Sequence, residues 1–380
     1  MNNKTILIIS PQKWGDMKLS KHHYAQELAK YNKVYFLNPP NVGFFNIQVT
    51  SNPNVNNLTI IEYSDWKLRS FKNRLDWVYN LGFNVLFKKI LDSVDNKIDI
   101  VINFDNGVYF RYIECTKDII NIFFPVDKLI DTKINEFCVD IAFSISQNIL
   151  DEINLSPEKK HLLNHGLSEE FYKNAQSLLN GEFQEKTSSL YNVAYVGNVL
   201  VDSLDRDLLM QLVINNKNVK FHLFGNISHS YRINSSTNSL SSKDETFVKQ
   251  LKACSNVILY GSMAPSELIT HLNKMDIFLL LYRASKGYIM DNSHKLIEYL
   301  SFGRPIVSTY LSHYKNSSLF LMCDTENKRT PEILFEDVVK NYEKYYTKND
   351  FRARINFAID NTYKNHLETI SQLIKKIRGS

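Results

Sequence analysis

The segment NSHKLIEYLSFGRPIVST, residues 292–309, carries the clearest structural pattern in the sequence. It predicts a helix that begins near Ser293 and ends at Gly303, followed by a buried strand over 305–308. A strand over 277–281 and an irregular loop precede this helix. The order strand, loop, helix, strand is typical of a parallel sheet in an α/β domain.

The same alternation of strands and helices continues towards the amino terminus. Strands are predicted over 4–9, 34–37, 99–104, 119–124, 141–145 and 160–163, and in a second series over 192–196, 219–224 and 257–260. A largely polar stretch at 180–189 separates the two series, and the tail from 351 predicts one long helix. The sequence therefore predicts two doubly wound domains, with a junction near residue 185.

Composition and charge bound the class of protein. The chain has 380 residues, with 44% hydrophobic and 22% charged, which excludes a disordered or collagen-like protein. Its net charge of +5 is too small to indicate a nucleic-acid partner. The first apolar run is too short for a signal peptide or a membrane span, and four scattered cysteines indicate neither a disulfide framework nor a zinc site. We therefore expect a reduced, cytoplasmic protein.

Lys295 and Glu298 are candidate ligand-binding residues. They lie three residues apart, on one face of the predicted helix. A cation in a first helical turn opposes the helix dipole unless an anion is bound, and unpaired first-turn amides suit a diphosphate. A carboxylate on the same face would accept the hydroxyls of a ribose. The alternative is an ordinary surface pair of opposite charges, and the pattern alone leaves both open.

Other candidates stand where predicted strands end. Gly197 and Asn198 follow the first strand of the second series, where backbone amides would face a ligand. In the first series, Asp105 and Asp127 each end a strand, and Asp16 lies in the loop before the first helix. Each of these polar residues is also a plausible turn or cap residue.

Two common motifs are absent or misplaced. The chain has neither a GxGxxG sequence nor a P-loop, which disfavours hydride transfer and kinase chemistry. Asp205-Arg206-Asp207 has the DxD form of a metal site, but it falls in the first turn of a predicted helix, where acidic residues suit the dipole. We therefore predict no metal site.

Residues 66–89 read WKLRSFKNRLDWVYNLGFNVLFKK and combine cations with aromatic residues. Such an amphipathic segment suits an anionic membrane surface. The alternative is a helix that packs its aromatic face into its own domain. The cations are Lys67, Arg69, Lys72, Arg74, Lys88 and Lys89, and the aromatic residues are Trp66, Phe71, Trp77, Tyr79, Phe83 and Phe87.

Over nearly its whole length the sequence resembles GT-B glycosyltransferases, in particular the retaining family 4 and family 1-like bacterial group. The run DIFLLLYRASKGYIMDNSHKLIEYLSFGRPIVST at 276–309 is similar to the nucleotide-sugar motif of that group. Weaker similarities follow in the family's order: LNHGLSEEFY at 163–172, YNVAYVGNVL at 191–200, VKFHLFGN at 219–226 and FAIDNTYKNHLETI at 357–370. The resemblance implies two Rossmann-like domains facing across a cleft. They are an acceptor domain over 1–185, joined by the returning helix 360–380, and a donor domain over 186–359.

The resemblance also implies roles for individual residues. Glu298 would bind the donor ribose, Lys295 with the amides of Ser293 and His294 would hold the diphosphate, and Gly261 and Met263 would lie by the base. Gly197 and Asn198 would complete the donor site. The sequence departs from the family pattern in two places: the first Glu of the Glu-x7-Glu pair is replaced by Met290, and the Arg…Lys pair is absent around 198–205.

The implied function is transfer of a sugar from a UDP- or GDP-linked donor to a glycan or lipid-linked acceptor, in bacterial surface polysaccharide synthesis such as that of a capsule. Retention of configuration, no further cofactor and a peripheral position on the inner face of the plasma membrane are part of this expectation. Asp16, Asp105 and Asp127 would bind or deprotonate the acceptor hydroxyl. Two alternatives stay open: a nucleotide-sugar 2-epimerase of the same fold, and an inactive GT-B binding subunit, which the two departures favour.

Overall fold

The computed structural model describes residues 1–15, 18–65, 68–71, 74–94, 97–107, 110, 118–130, 138–227, 241–283, 291–324 and 329–379. The chain forms two compact units. Unit 1 comprises Met1–Gly166 and Tyr363–Ser380, and unit 2 comprises Leu167–Thr362.

Unit 1 is built on an eight-stranded sheet with the order β3-β4-β2-β1-β5-β6-β7-β8. Its pairs are parallel except that β3 runs antiparallel to β4. The strands are β1 (Thr5–Ile9), β2 (Lys33–Leu37), β3 (Ile47–Ser51), β4 (Leu58–Tyr63), β5 (Ile100–Asn103), β6 (Ile120–Phe123), β7 (Ile141–Ser144) and β8 (Lys160–Leu162). The helices α1 (Ser20–Ala29), α2 (Asp76–Asp92) and α3 (Gln147–Glu152) connect them, with 3₁₀ turns over Leu68–Phe71 and Pro157–Lys159.

The central strands of unit 1 follow from their composition, whereas the edge does not. Strand β5 is buried along its whole length and β1 almost so, as apolar runs of a parallel sheet must be when helices cover both faces. Strands β3 and β4 were not predicted. Four of the five residues of β3 are exposed, and its sequence IQVTS lacks an apolar run, so the edge left little signal in the sequence.

Unit 2 has a six-stranded, wholly parallel sheet with the order β11-β10-β9-β12-β13-β14. The strands are β9 (Tyr191–Val196), β10 (Val219–Phe224), β11 (Val257–Gly261), β12 (Ile277–Leu280), β13 (Ile306–Ser308) and β14 (Leu321–Met322). Its helices are α4 (Glu169–Asn180), α5 (Arg206–Asn215), α6 (Ser242–Ala253), α7 (Pro265–Leu272), α8 (His294–Leu300), α9 (Pro331–Lys340), α10 (Tyr342–Tyr345) and α11 (Lys348–Asp360). The strand order reverses between β9 and β12, and ligands of such sheets bind beyond the carboxyl ends of the strands at that point.

Alternate residues of the unit 2 strands enter two separate apolar clusters. Val193, Phe221 and Leu279 pack into one cluster, together with residues of α5 and α9. Ala194 and Phe278 face the opposite side, where α8 packs. Both faces of the sheet are therefore covered, which is why its strands read as continuous apolar runs.

The carboxyl-terminal tail differs from the single long helix that the sequence predicts. Helix α11 ends at Asp360, and α12 (Tyr363–Gly379) begins after a break. The break is fixed by Asn361, whose side-chain amide donates to Phe357 O (2.8 Å) and whose backbone carbonyl accepts from Leu167 N–H (2.7 Å). Helix α12 belongs to unit 1, where Ile370 and Ile374 join the core.

The change between the units falls at Gly166–Leu167, whereas the predicted junction near 185 lies in the polar stretch after α4. Helix α4 packs against α11 and α7 and is thus part of unit 2. Gly166 lies against the Tyr363 ring, which would be 2.4 Å from a Cβ atom at this position. The glycine is required by this close approach.

Two further observations concern the compartment. Of the helices within the described ranges, none is both long enough and apolar enough to cross a membrane. The expectation of reduced cysteines is wrong at Cys138, which is disulfide-bonded, whereas Cys254 and Cys323 are free. Cysteine spacing did not reveal this bond because disulfide geometry depends on which residues the fold brings together.

Candidate functional site

Helix α8 is anchored to the carboxyl end of β9 through Tyr299. The Tyr299 hydroxyl accepts a hydrogen bond from Val196 N–H (2.8 Å), and its ring stacks on Phe278 with centroids 4.6 Å apart. Leu296 and Leu300 are fully buried beside it. Helix α8 ends at Leu300, three residues before the predicted end at Gly303. Gly303 has φ of +69°, and the Phe351 ring would be 2.4 Å from a Cβ atom there, so this position requires glycine. The opposite face of α8 is thereby held at the edge of the sheet.

That opposite face carries Lys295 and Glu298, which are half-buried. Burial lowers the pKa of the Lys295 ammonium, against the opposing effect of the Glu298 charge. Burial likewise raises the pKa of Glu298, against the opposing effect of Lys295. In the part of the chain that the structure describes, neither charged group has a hydrogen-bonded or ion-paired protein partner. The simple surface-pair interpretation therefore does not describe these residues.

Lys295 reaches the backbone at the end of β9. A Cβ atom at Gly197 would lie 3.1 Å from the Cε atom of Lys295 and 3.0 Å from the Tyr195 hydroxyl. A side chain at residue 197 would therefore require Tyr195 and Lys295 to shift by a few tenths of an ångström. The glycine and the lysine together place a cation at the point where the strand order reverses.

Three glycines stand at the carboxyl ends of adjacent strands: Gly197 follows β9, Gly225 follows β10, and Gly261 is the last residue of β11. Gly197 N–H donates to Phe224 O, and Gly225 N–H donates to Gly261 O, both at 2.8 Å. A Cβ atom at Gly225 would lie 1.9 Å from Gly197 O, so no other residue fits there. Gly261 has φ of +77°, and no atom lies within 4 Å of where its side chain would be. This edge of unit 2 therefore exposes backbone at three glycines, of which Gly225 was not among the residues selected from the sequence.

Ser293 precedes α8 but does not cap it with its side chain. Its hydroxyl is instead 2.6 Å from the Tyr282 hydroxyl, and Tyr282 N–H donates to Thr309 Oγ1 (2.9 Å). Within the described ranges, the N–H groups of Ser293 and Lys295 have no protein acceptor, while the side chain of His294 is exposed. The residues predicted to bind the diphosphate therefore lie together, although the Ser293 side chain is already hydrogen-bonded to Tyr282.

The two remaining donor-site candidates of unit 2 have structural roles. Asn198 Oδ1 accepts a hydrogen bond from Leu200 N–H (2.9 Å), which forms a local turn. Met263 is half-buried and packs against the core on the α8 side of the sheet. Met290, where the family pattern has its first Glu, lies outside the described residues.

In unit 1, Asp105 is buried at the end of β5. It closes a turn, because its N–H donates to Asn103 Oδ1 and its own Oδ1 accepts from Gly107 N–H, both at 2.9 Å. Asp127 is exposed in the loop after β6. Asp16 lies outside the described residues.

Lys21, in the first turn of α1, was missed by the sequence analysis. It is only 1% exposed, and its Nζ donates to Gln12 Oε1. Burial lowers the pKa of this ammonium to about 8, and the nearby charges of Asp127 and Asp105 oppose the shift. The signal that pointed to Lys295, a cation in a first helical turn, is also present at Lys21 and would have found it.

His22 fixes the loop that precedes α1. Its Nδ1 accepts from Leu19 N–H (2.9 Å), so its Nε2 carries the proton and donates to Lys13 O (3.1 Å). Burial lowers the pKa of His22 to about 4. This histidine is therefore neutral and structural near neutral pH.

The DxD sequence Asp205-Arg206-Asp207 lies at the start of a helix, as the sequence predicts. Asp205 is the N-cap of α5, and its side chain accepts from Leu208 N–H (3.1 Å). Arg206 pairs with Asp244 at 2.8 Å. Within the described residues, no group of three or more His, Cys, Asp or Glu side chains is placed to hold a metal ion.

The aromatic residues of the basic segment 66–89 are partly buried in the core and partly exposed to solvent. Tyr79, Phe83 and Phe87 on α2 are buried in the core of unit 1, as the alternative interpretation predicted. Trp77, on the same helix, is 71% exposed. Trp66, Lys67 and Lys72 and the side chain of Arg69 lie outside the description.

Comparison with known proteins gives a match in structure but not in sequence. No protein-family model and no curated protein sequence matches this chain. The chain is similar to the structure of a glycosyltransferase from Rickettsia africae, with a TM-score of 0.67, 14% identity and 99% of each chain covered. It is similar at the same TM-score, with 10% identity and 99% of each chain covered, to a UDP-forming α,α-trehalose-phosphate synthase from Burkholderia xenovorans.

A third similar structure contains bound ligands. It is Anabaena HepE in complex with UDP and glucose, with a TM-score of 0.58, 11% identity, and coverage of 97% of this chain and 100% of HepE. All three similarities extend over almost the entire chain, and two are to proteins named as sugar transferases or synthases. The predicted fold class is therefore confirmed: the chain has the GT-B fold.

Proposed function

We propose that this chain transfers a sugar from a nucleoside-diphosphate sugar, UDP- or GDP-linked, to a hydroxyl group of a glycan or lipid-linked acceptor. The observation that carries the proposal is the position of Lys295 and Glu298 at the reversal point of the unit 2 sheet, against the side-chain-free Gly197. Proteins of the same fold support it, since HepE was solved with UDP and glucose and the Burkholderia synthase is UDP-forming.

The donor would bind at the bare edge of unit 2. Breaking the bond between sugar and diphosphate leaves negative charge on the diphosphate, and a fixed cation stabilises that charge most where water is scarce. Lys295 supplies the cation, and the N–H groups of Ser293 and Lys295 are available donors. Glu298, on the same face of α8, would accept hydrogen bonds from the ribose hydroxyls.

The acceptor would bind at the corresponding edge of unit 1. Asp105 and Asp127 contribute negative charge there, near Lys21. Asp16, Asp105 and Asp127 are the candidates to orient the acceptor hydroxyl or remove its proton. Asp127 is the one of the two described carboxylates that solvent reaches, so it is the stronger candidate for direct contact.

We further propose that the chain belongs with the retaining family 4 and family 1-like bacterial group and acts in surface polysaccharide synthesis at the cytoplasmic side of the membrane. This assignment rests on the motif at 276–309 and on the order of the weaker motifs. It predicts that the transferred sugar keeps its anomeric configuration, which NMR of the product measures.

The proposal is tested by assaying transfer with UDP- and GDP-sugars against a panel of glycan and lipid-linked acceptors. Glu298→Ala should lower kcat/KM for the donor by at least about 100-fold, because it removes the hydrogen bonds of a carboxylate to two ribose hydroxyls, each worth about 1.5–3 kcal/mol, with an unchanged melting temperature. Glu336→Ala, at an exposed site on α9, is the matched control and should leave turnover unchanged.

Three outcomes would contradict the proposal. Full activity of Glu298→Ala would remove the assigned donor site. Formation of an epimer from donor alone, without acceptor, would replace transfer by the 2-epimerase alternative. Tight donor binding without transfer to any acceptor would replace it by the inactive binding subunit.

A further inference from the structure

Helix α2 has an apolar stripe that faces solvent. Trp77, Leu81 and Val85 recur at intervals of four residues, so they lie on one face of the helix. They are 71%, 63% and 53% exposed, whereas Tyr79, Phe83 and Ile90 on the other face are buried in the core of unit 1. The helix thus presents large apolar side chains on both faces, and only one face has a partner within the described residues of unit 1.

A loop of unit 1 adds a second exposed apolar group. Between β2 and β3, Val42 is 91%, Phe44 is 83% and Phe45 is 49% exposed. Phe45 connects this loop to α2, because Lys89 Nζ lies 5.8 Å from the centre of its ring. The stripe and this loop together form what we call the α2 surface.

Cations accompany the α2 surface. Lys88 and Lys89, one turn beyond Val85, are exposed at the end of the stripe, and Arg74 is exposed before its start. From Trp77 to Lys89 the sequence has no acidic residue. Asp76 and Asp92 lie at the two ends of α2, so residues 74–92 carry three cations and two carboxylates. The surface therefore combines apolar side chains with a small excess of positive charge, which favours an anionic partner.

We propose that the α2 surface docks unit 1 on an anionic lipid bilayer. Side chains as exposed as Val42 and Phe44 project into solvent, which suits insertion into the soft interface of a bilayer. Trp is favoured at that depth, and neighbouring cations are attracted by acidic headgroups. The inference goes beyond the proposed sugar transfer and does not depend on it, although it would bring the enzyme to a lipid-linked acceptor.

The experiment is co-sedimentation of the purified full chain with vesicles, without nucleotide sugar. The chain should sediment with phosphatidylglycerol-rich vesicles and remain in solution with phosphatidylcholine vesicles. Lys88→Gln with Lys89→Gln should weaken partitioning by about 25-fold, since each cation near an anionic surface contributes about fivefold. Lys249→Gln with Lys252→Gln, at exposed sites on α6, is the matched control and should partition like the wild type.

A second pair of variants tests the apolar part. Leu81→Ser with Val85→Ser should weaken partitioning by at least about tenfold, because binding scales with the buried apolar area. Ile333→Ser, 54% exposed on α9, should not. Brominated lipids should quench the fluorescence of the wild type more than that of Trp77→Phe, which a surface outside the bilayer would not show.

Two results would overturn the proposal. One is absence of binding to acidic vesicles, or equal binding of the wild type and both α2 variants. The other is a dimer in sedimentation velocity that Leu81→Ser with Val85→Ser dissociates, without vesicle binding; the α2 surface would then contact a second copy of the chain. Transfer to a water-soluble acceptor would be unaffected in either case, so failure here is distinct from failure of the proposed function.

Discussion

The carboxyl edges of the two sheets are built differently. In unit 2 the carboxyl ends of β9, β10 and β11 carry Gly197, Gly225 and Gly261, and Lys295 lies against Gly197. In unit 1 the corresponding edge is filled by side chains, with Lys21 buried near Asp105 and Asp127. Both sheets are built mainly of parallel strands, but the residues at their carboxyl edges differ.

The difference indicates a division of chemistry. A glycine-lined edge lets a ligand approach the backbone closely, and amide dipoles with one cation suit an anion. An edge with carboxylates and a lysine of lowered pKa suits the handling of a neutral hydroxyl and its proton. On this account the donor binds to unit 2 and the acceptor to unit 1.

The largest effect should come from filling the bare edge. Gly225→Ala places a Cβ atom 1.9 Å from Gly197 O, with φ of +138°, so β9 and β10 must separate. We expect a loss of at least about 4 kcal/mol in the free energy of unfolding, in the exceptional range for one substitution. Urea unfolding followed by circular dichroism measures it.

Gly181→Ala is the control for that substitution. Its Cβ atom would lie 3.5 Å from the nearest atom, an ordinary contact, and its φ is −80°. It should change the free energy of unfolding by less than about 1 kcal/mol. Equal stability of Gly225→Ala and the wild type would refute the close approach of the two strands.

The next effect concerns the crowded edge of unit 1. The pKa of Lys21 falls from 10.5 unfolded to about 8 folded, so the unfolded chain binds more protons between those values, and stability rises with pH across that window. Below pH 8 the lysine is charged in both states and its burial lowers stability by about 3 kcal/mol at most. Lys21→Met should therefore have a higher free energy of unfolding than the wild type at pH 7, reduced by the loss of the hydrogen bond to Gln12. The increase in stability between pH 8 and 10.5 should be absent from this variant.

Chemical unfolding of both proteins from pH 7 to 11 measures this difference. Lys30→Met, at the end of the same helix and paired with Glu27, is the control and should change stability by less than about 1 kcal/mol. If Lys21→Met is less stable than the wild type at every pH, burial of the Lys21 ammonium does not destabilise the fold, and this prediction is wrong.

The fold was predictable where burial leaves a continuous apolar run. Strands β1, β2, β5, β6, β7, β12 and β13 carry such runs, and their alternation with helices indicated the fold class. Strand β3 was missed because edge residues face solvent, and the break at Asn361 was missed because it depends on Leu167, remote in sequence. The local sequence pattern therefore sufficed to predict the central strands and the helices between them. It did not suffice for the edge strand β3 or for the break before α12.

The candidate site was predictable in part for the same reason. The spacing of Lys295 and Glu298 on a short helix is a local property, and the structure places them on one face as expected. The need for glycine at Gly225 arises only when β9 and β10 pair, and burial of Lys21 arises only when α1 packs. The residue type alone does not show that Gly225 is required, whereas a lysine in a first helical turn, as at Lys21, is a local signal that the sequence does contain.

The most direct test of the account is isothermal titration of the wild type and Lys295→Met with UDP and GDP. The account predicts one site on the wild type for at least one of them. It predicts binding weaker by at least about tenfold in Lys295→Met, the loss expected for one charged hydrogen bond. Lys249→Met should bind like the wild type. Absence of binding to either nucleotide, or equal affinity of Lys295→Met and the wild type, would contradict the assignment of the donor site to unit 2.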